Sequence, residues 1–204
     1  MPGINLKTDL RNLLLATGIS LTLIINPARL LSQPTKQGLL MKQGSLGYLK
    51  QSNGFKDIVL GSNINIIPSY KLGYMDGDYH VDADSCLKLN YKDTDLKFGD
   101  NLFLDLVGIR TFKNKVVNIY LFFKKADGYK VLQSMLDSYG LFTDRPDNYQ
   151  DVYNWNTSRV SLSLMYEMNV DLGVAIFTCN DLQKEIETRK QKLALMTQLL
   201  SSQF

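Results

Sequence analysis

The sequence predicts an α+β domain: an antiparallel sheet of five or six strands with at least two packed helices, the last at the C-terminus. Three observations carry that expectation. Two runs dense in Val, Ile, Leu, Phe and Tyr, 102–112 and 116–123, flank Lys113-Asn114-Lys115 and read as a hairpin. Val131, Leu132, Met135, Leu136 and Tyr139 recur at helical spacing. A long helical pattern then closes the chain over 181–200.

The elements follow in order. Residues 33–53, rich in Gln, Lys, Gly and Ser, form a lead-in with the makings of a short helix, and the domain proper spans 54–204. F-K-D-I-V-L-G, 55–61, reads as a strand, with Phe55, Asp57 and Val59 on one face and Lys56, Ile58 and Leu60 on the other. Ser62 or Asn63 then caps a helical turn that ends before Pro68. A further strand alternates over 85–91. In the central hairpin Asn114 accepts a left-handed conformation at little steric cost. Both of its strands are apolar on each face over part of their length, so each side needs a cover.

Asp127 is the candidate N-cap of the following helix and Gly140 its terminating glycine, with Leu141 expected to pack back beyond it. Strands over 159–166 and 173–179 come next, joined by a polar loop. In the last helix Leu182, Ile186, Leu193, Met196 and Leu200 lie on or near one face, and Glu185 with Arg189 forms an i,i+4 pair. No heptad is sustained long enough for a coiled coil. The expected core includes Leu106, Ile119, Leu121, Leu136, Leu162 and Ile176.

The first residues read differently. Lys7 and Arg11 precede an uncharged run over 13–25, which Asn26-Pro27 breaks. That is short for a membrane span but fits a signal peptide over 1–32, cleaved after Ser32 to start the mature chain at Gln33. The expectation is export to the periplasm or the extracellular space, with no stable membrane span after cleavage. Cleavage removes Lys7, Arg11 and Arg29 against Asp9, so the net charge falls from +3 to +1. With no basic run besides, a nucleic-acid partner is not expected. Cys86 and Cys179 both lie in the mature part, either as one disulfide or as two buried thiols.

F-K-D-I-V-L-G with its helical turn, the strand V-V-N-I-Y-L-F-F leading to a helix that ends L-Q-S-M-L-D-S-Y-G, and V-Y-N-W before a strand pair form a sequence of features. It resembles a broad group of small exported bacterial α+β proteins of unknown function. The resemblance covers about 55–182 and implies export and a single α+β domain, with no activity or catalytic residue to carry over.

Several recognisable chemistries are excluded by missing motifs. No phosphate-binding glycine loop, G-x-S-x-G elbow or C-x-x-C occurs, and His80 is the only histidine. No cofactor is expected. Asp76, Asp78, His80, Asp82 and Asp84 alternate, so in an extended segment they share a face. A divalent cation would relieve their repulsion, but alternate residues stand nearly 7 Å apart on a strand. A solvated acidic face with no metal is therefore expected there. Tyr149, Tyr153 and Trp155, set among amides, suit stacking on a sugar or peptide, against the plainer reading that Tyr153 and Trp155 fill the core of a strand. The function expected is therefore a non-enzymatic exported domain that binds an envelope protein, peptide or glycan. The alternative is a small envelope hydrolase using the acids between Asp76 and Asp84, with or without a bound cation, which requires them to meet other acids such as Asp57 or Asp105.

Overall fold

The computed structural model describes residues 42–74, 85–89, 96–98, 102–146, 151–166 and 171–201. Its centre is a seven-stranded antiparallel sheet. Ahead of it come helix α1 (Leu46–Gln51) and a two-residue-per-arm hairpin, β1 (Gly54–Phe55) and β2 (Ile58–Val59). The large sheet is built from β3 (Leu72–Tyr74), β4 (Ser85–Leu89), β7 (Leu106–Phe112), β8 (Lys115–Lys124), β9 (Val152–Asn156), β10 (Val160–Met165) and β11 (Leu172–Cys179). Its spatial order is β3-β4-β7-β8-β11-β10-β9. β5 (Lys97–Phe98) and β6 (Leu102–Phe103) form a separate small pair. Helix α2 (Gly128–Tyr139) follows β8, and α3 (Asn180–Ser201) follows β11 directly.

The α+β class, the antiparallel pairing and the C-terminal helix match the expectation; the strand count is higher. β3 was not foreseen, and the run from 102 to 112 is two strands interrupted at Leu104-Asp105. There the Leu104 N–H donates to Leu96 and the Asp105 N–H to Phe122, so the ladder changes partner. The segment 55–61 is no single strand. Lys56 takes φ 54°, which turns the chain after Phe55 and folds Ile58 back on it. The central hairpin turns through Lys113 and Asn114, both at positive φ as a two-residue type I′ loop requires, and Lys115 already belongs to β8. Asn63 caps the expected turn, its Oδ1 accepting from the Asn65 N–H at 2.9 Å.

The two faces of the sheet carry different cores. On one, Val107, Ile109, Ile119, Leu121, Phe123, Leu162, Leu164 and Phe177 are buried with Tyr48, Leu49 and Phe55 and with the α2 stripe Val131, Leu132, Met135 and Tyr139. On the other, Leu106, Phe122, Val174 and Met165 stand in register across four strands, with Tyr120 and Ile176 in the next row. Of the expected core residues all are buried except Leu136, which is half-buried against the first cluster.

The ends of α2 depart from expectation. A 3-10 turn, Lys125–Asp127, leads into the helix, and the Asp127 side chain makes no cap bond, pairing with Lys130 Nζ at 2.6 Å instead. Gly140 does stop the helix at φ 76°. Leu141, however, is 80% exposed, and Phe142 is the residue that packs back.

Neither cysteine is in a disulfide. Cys86 faces Arg110, which faces Asn118, which faces Thr178, so Cys86 and Thr178 stand three strand spacings, roughly 14 Å, apart on one face. Cys179 follows Thr178 and points to the opposite face. A disulfide, which needs Cα atoms within about 7 Å, cannot form there. We therefore expect two reactive thiols per chain when protein purified without reductant is unfolded. In native protein half-buried Cys179 should react with a thiol reagent before buried Cys86. Finding no free thiol would refute the register of β4.

Candidate functional site

Two places stand out as candidate sites: the aromatic segment around β9 and the surface of α3. On β9, Tyr153 and Trp155 alternate to the α2 side of the sheet, where Trp155 is 0% and Tyr153 7% exposed. Trp155 Nε1 donates to the Gly140 carbonyl at 2.8 Å, so the only polar atom of the indole is satisfied at the end of α2. Phe142 meets both rings edge-on, with centroids 5.2 Å from Tyr153 and 6.2 Å from Trp155. These rings lock the segment after α2 onto the sheet and leave no open face of the indole. Tyr149 lies outside the described residues.

The polar tips around Tyr153 converge. Tyr166 stacks on Tyr153 and donates its hydroxyl hydrogen to it, and Tyr153 donates in turn to Asp151 Oδ1 at 2.7 Å. Arg145 Nη2 donates to the same oxygen at 3.2 Å, while its guanidinium lies 5.0 Å from the Tyr153 ring centroid. Burial is the main cause holding both tyrosines above their usual range, and the hydrogen bonds each donates add to it. Well below pH 10.0, where an unfolded tyrosine is neutral, these groups leave stability unchanged with pH. Above it the unfolded chain loses protons that the folded chain keeps, so stability falls. We expect the urea midpoint to drop between pH 9.5 and 11, and to drop less in Tyr166→Phe. An equal alkaline slope in the two proteins would disprove this assignment.

The chain Tyr166–Tyr153–Asp151–Arg145 ends in a carboxylate already paired, and its chemistry is cohesive. It also protects an edge. The Thr143 and Asp144 N–H groups donate to the Asn154 carbonyl and the Asn154 N–H to Asp144, which covers the outer strand at that point.

The acidic residues place as follows. Asp76, Asp78, Asp82 and Asp84, with His80, lie outside the described residues. Asp57 is exposed in the β1–β2 turn. Asp105 is half-buried before β7, at the end away from the Lys113-Asn114 turn, and burial raises its carboxyl although Lys124 opposes the shift. Among the described residues, no group of three or more His, Cys, Asp or Glu could hold a metal ion.

The second place is α3, whose first turns are clamped by a buried polar row. Asn118 Nδ2 donates to Thr178 Oγ1 at 2.6 Å, Ser161 to Asn180 Oδ1 at 2.6 Å, and Asn180 Nδ2 to the Thr157 carbonyl at 2.9 Å. Arg110 Nη2 reaches Gln183 Oε1 at 2.6 Å, and Ile186 is buried in one cluster with Phe112 and Val117. Glu185 pairs with Lys113 rather than with Arg189, whose guanidinium lies 5.8 Å from the Phe112 ring. From Glu187 to Ser201 every residue is exposed. Past Ile186 the helix is thus open to solvent over about 22 Å of its roughly 33 Å length. Leu193, Leu195, Met196, Leu199 and Leu200 are between 42% and 65% exposed. An open groove of about 700 Å³ runs between α3 and the β7–β8 turn, lined among others by Phe112, Lys113, Arg189, Lys192 and Leu193.

Periodicity had placed Leu193, Met196 and Leu200 on one face with Ile186, but a pattern of apolar spacing does not say whether that face meets a core. No helix among the described residues is long and apolar enough to cross a membrane. Comparisons of the chain with protein-family models, curated proteins and solved structures gave no match.

Proposed function

We propose that this chain is a non-enzymatic, exported binding domain of the cell envelope, and that it engages its partner through the exposed C-terminal part of α3. The observation that carries this reading is the row of large apolar side chains on that helix, exposed beyond the clamp at Ile186. Such a row is unfavourable in water and is common where a surface is covered on binding. Export rests on the sequence: the basic start, the uncharged run over 13–25 and the break at Asn26-Pro27, which together propose a signal peptide over 1–32.

The test has two arms. Protein recovered from its own cells should begin near Gln33; an intact Met1 in the cytoplasmic fraction refutes export. Wild-type protein should sediment with isolated envelopes, and Leu195→Gln/Met196→Gln/Leu200→Gln should remain in the supernatant. The three residues are exposed, so the variant should keep the wild-type thermal midpoint. Equal sedimentation of the two proteins refutes the role of α3.

A further inference from the structure

We infer that the surface bound by the end of α3 is an anionic lipid bilayer, with the last turns lying in its interface. This rests on the proposed function and names its partner. At 100° per residue, Leu193, Leu195, Met196, Leu199 and Leu200 fall within about 160° of arc, while Ala194, Thr197, Gln198 and Ser201 fill the opposite side. The apolar residues are exposed together, as one strip rather than as scattered positions.

Charge selects the partner. From Leu193 to Phe204 no residue is charged, and Arg189 and Lys192 stand just before that stretch, at its boundary with the domain. Lys113 and Lys184 join them around the groove, where only Asp181 and Glu185 oppose them and Glu185 is already paired with Lys113. An uncharged amphipathic end bordered by cations is the arrangement that enters a lipid interface while its basic residues meet anionic headgroups. The nine residues 193–201 span about 13 Å, too little to cross a bilayer of about 30 Å but enough to lie in its surface.

A second copy of the chain fits less well. A two-stranded coiled coil buries a narrow seam flanked by charged pairs, whereas here the apolar arc is broad and its flanks are uncharged. Two such helices side by side would leave part of each arc in water.

The test is sedimentation of the full chain with vesicles of phosphatidylglycerol and phosphatidylcholine in equal parts, and with phosphatidylcholine alone. Hydrogen exchange over 193–201 is read in the same samples, so that binding by any other segment is told apart. Anionic vesicles should retain the protein and slow exchange in 193–201. Neutral vesicles, or Arg189→Gln/Lys192→Gln, should weaken binding about tenfold or more. Leu195→Gln/Met196→Gln/Leu200→Gln should abolish the slowing. Unchanged exchange in 193–201 with vesicles overturns the lipid assignment. If the same triple variant still loses envelope sedimentation, binding through α3 stands with a protein as partner. If wild-type protein is a dimer that the variant makes monomeric, the occupant is a second copy. If the variant changes neither, both readings fall.

Discussion

Trp155→Ala should lower the free energy of unfolding by about 3–5 kcal/mol, a large fraction of the 5–15 kcal/mol typical of a domain. The indole is fully buried, so the substitution removes its whole apolar surface and leaves a void between β9, Phe142 and the end of α2. It also strands the Gly140 carbonyl, which loses the 2.8 Å bond from Nε1. Trp155→Phe separates the two effects, because it restores most of the volume without the donor; the unpaired carbonyl should cost about 1–3 kcal/mol. Urea unfolding followed by circular dichroism reads both variants. A loss below about 1 kcal/mol in Trp155→Ala would show that the ring is not the tie between α2 and β9. Unchanged stability together with lost envelope binding would return Trp155 to the role of a ligand platform.

The elements legible in the sequence were those with a strong period and local punctuation. β7 and β8 announce themselves through apolar density around Lys113-Asn114, and α2 through its stripe and Gly140. What escaped depended on partners distant in sequence. F-K-D-I-V-L-G alternates perfectly well as a strand, and only the contact of Ile58 with Phe55 shows that Lys56 turns the chain. Leu104-Asp105 looks continuous with its neighbours, yet its N–H groups go to Leu96 and Phe122. The cysteines had to be placed by register across four strands before a bridge could be judged. At the candidate site the limit was of the same kind. Tyr153 and Trp155 could as well have stacked on a ligand as filled a core, and Phe142 with Gly140 decides where they sit. The exposed end of α3 was visible only as a period; that its burial stops at Ile186 is seen only once the clamp at Asn180, Gln183 and Ile186 is placed.

Gly173→Ala should destabilise the domain, although propensity alone predicts the reverse. Glycine inside a strand loses backbone freedom on folding, and replacing it with alanine would ordinarily stabilise by about 0.5–1 kcal/mol. Here Gly173 stands in register with Phe123, and a Cβ at 173 would overlap the Phe123 ring. Phe123 is fully buried in the main cluster, so its ring cannot move aside without displacing core neighbours. Overpacking of that kind costs about 1–3 kcal/mol, which exceeds the gain in propensity, so the expected sign is a loss. Removing the ring instead, in Phe123→Ala, should cost about 3–5 kcal/mol through the cavity it leaves. The pair is then tested by combination. In Gly173→Ala/Phe123→Leu the smaller side chain makes room for the methyl group, so the double variant should be more stable than the sum of the single changes allows, by about 0.5–3 kcal/mol. Additive losses, or a stabilising Gly173→Ala, would mean that Phe123 does not lie over Gly173 and that the β8–β11 register is wrong.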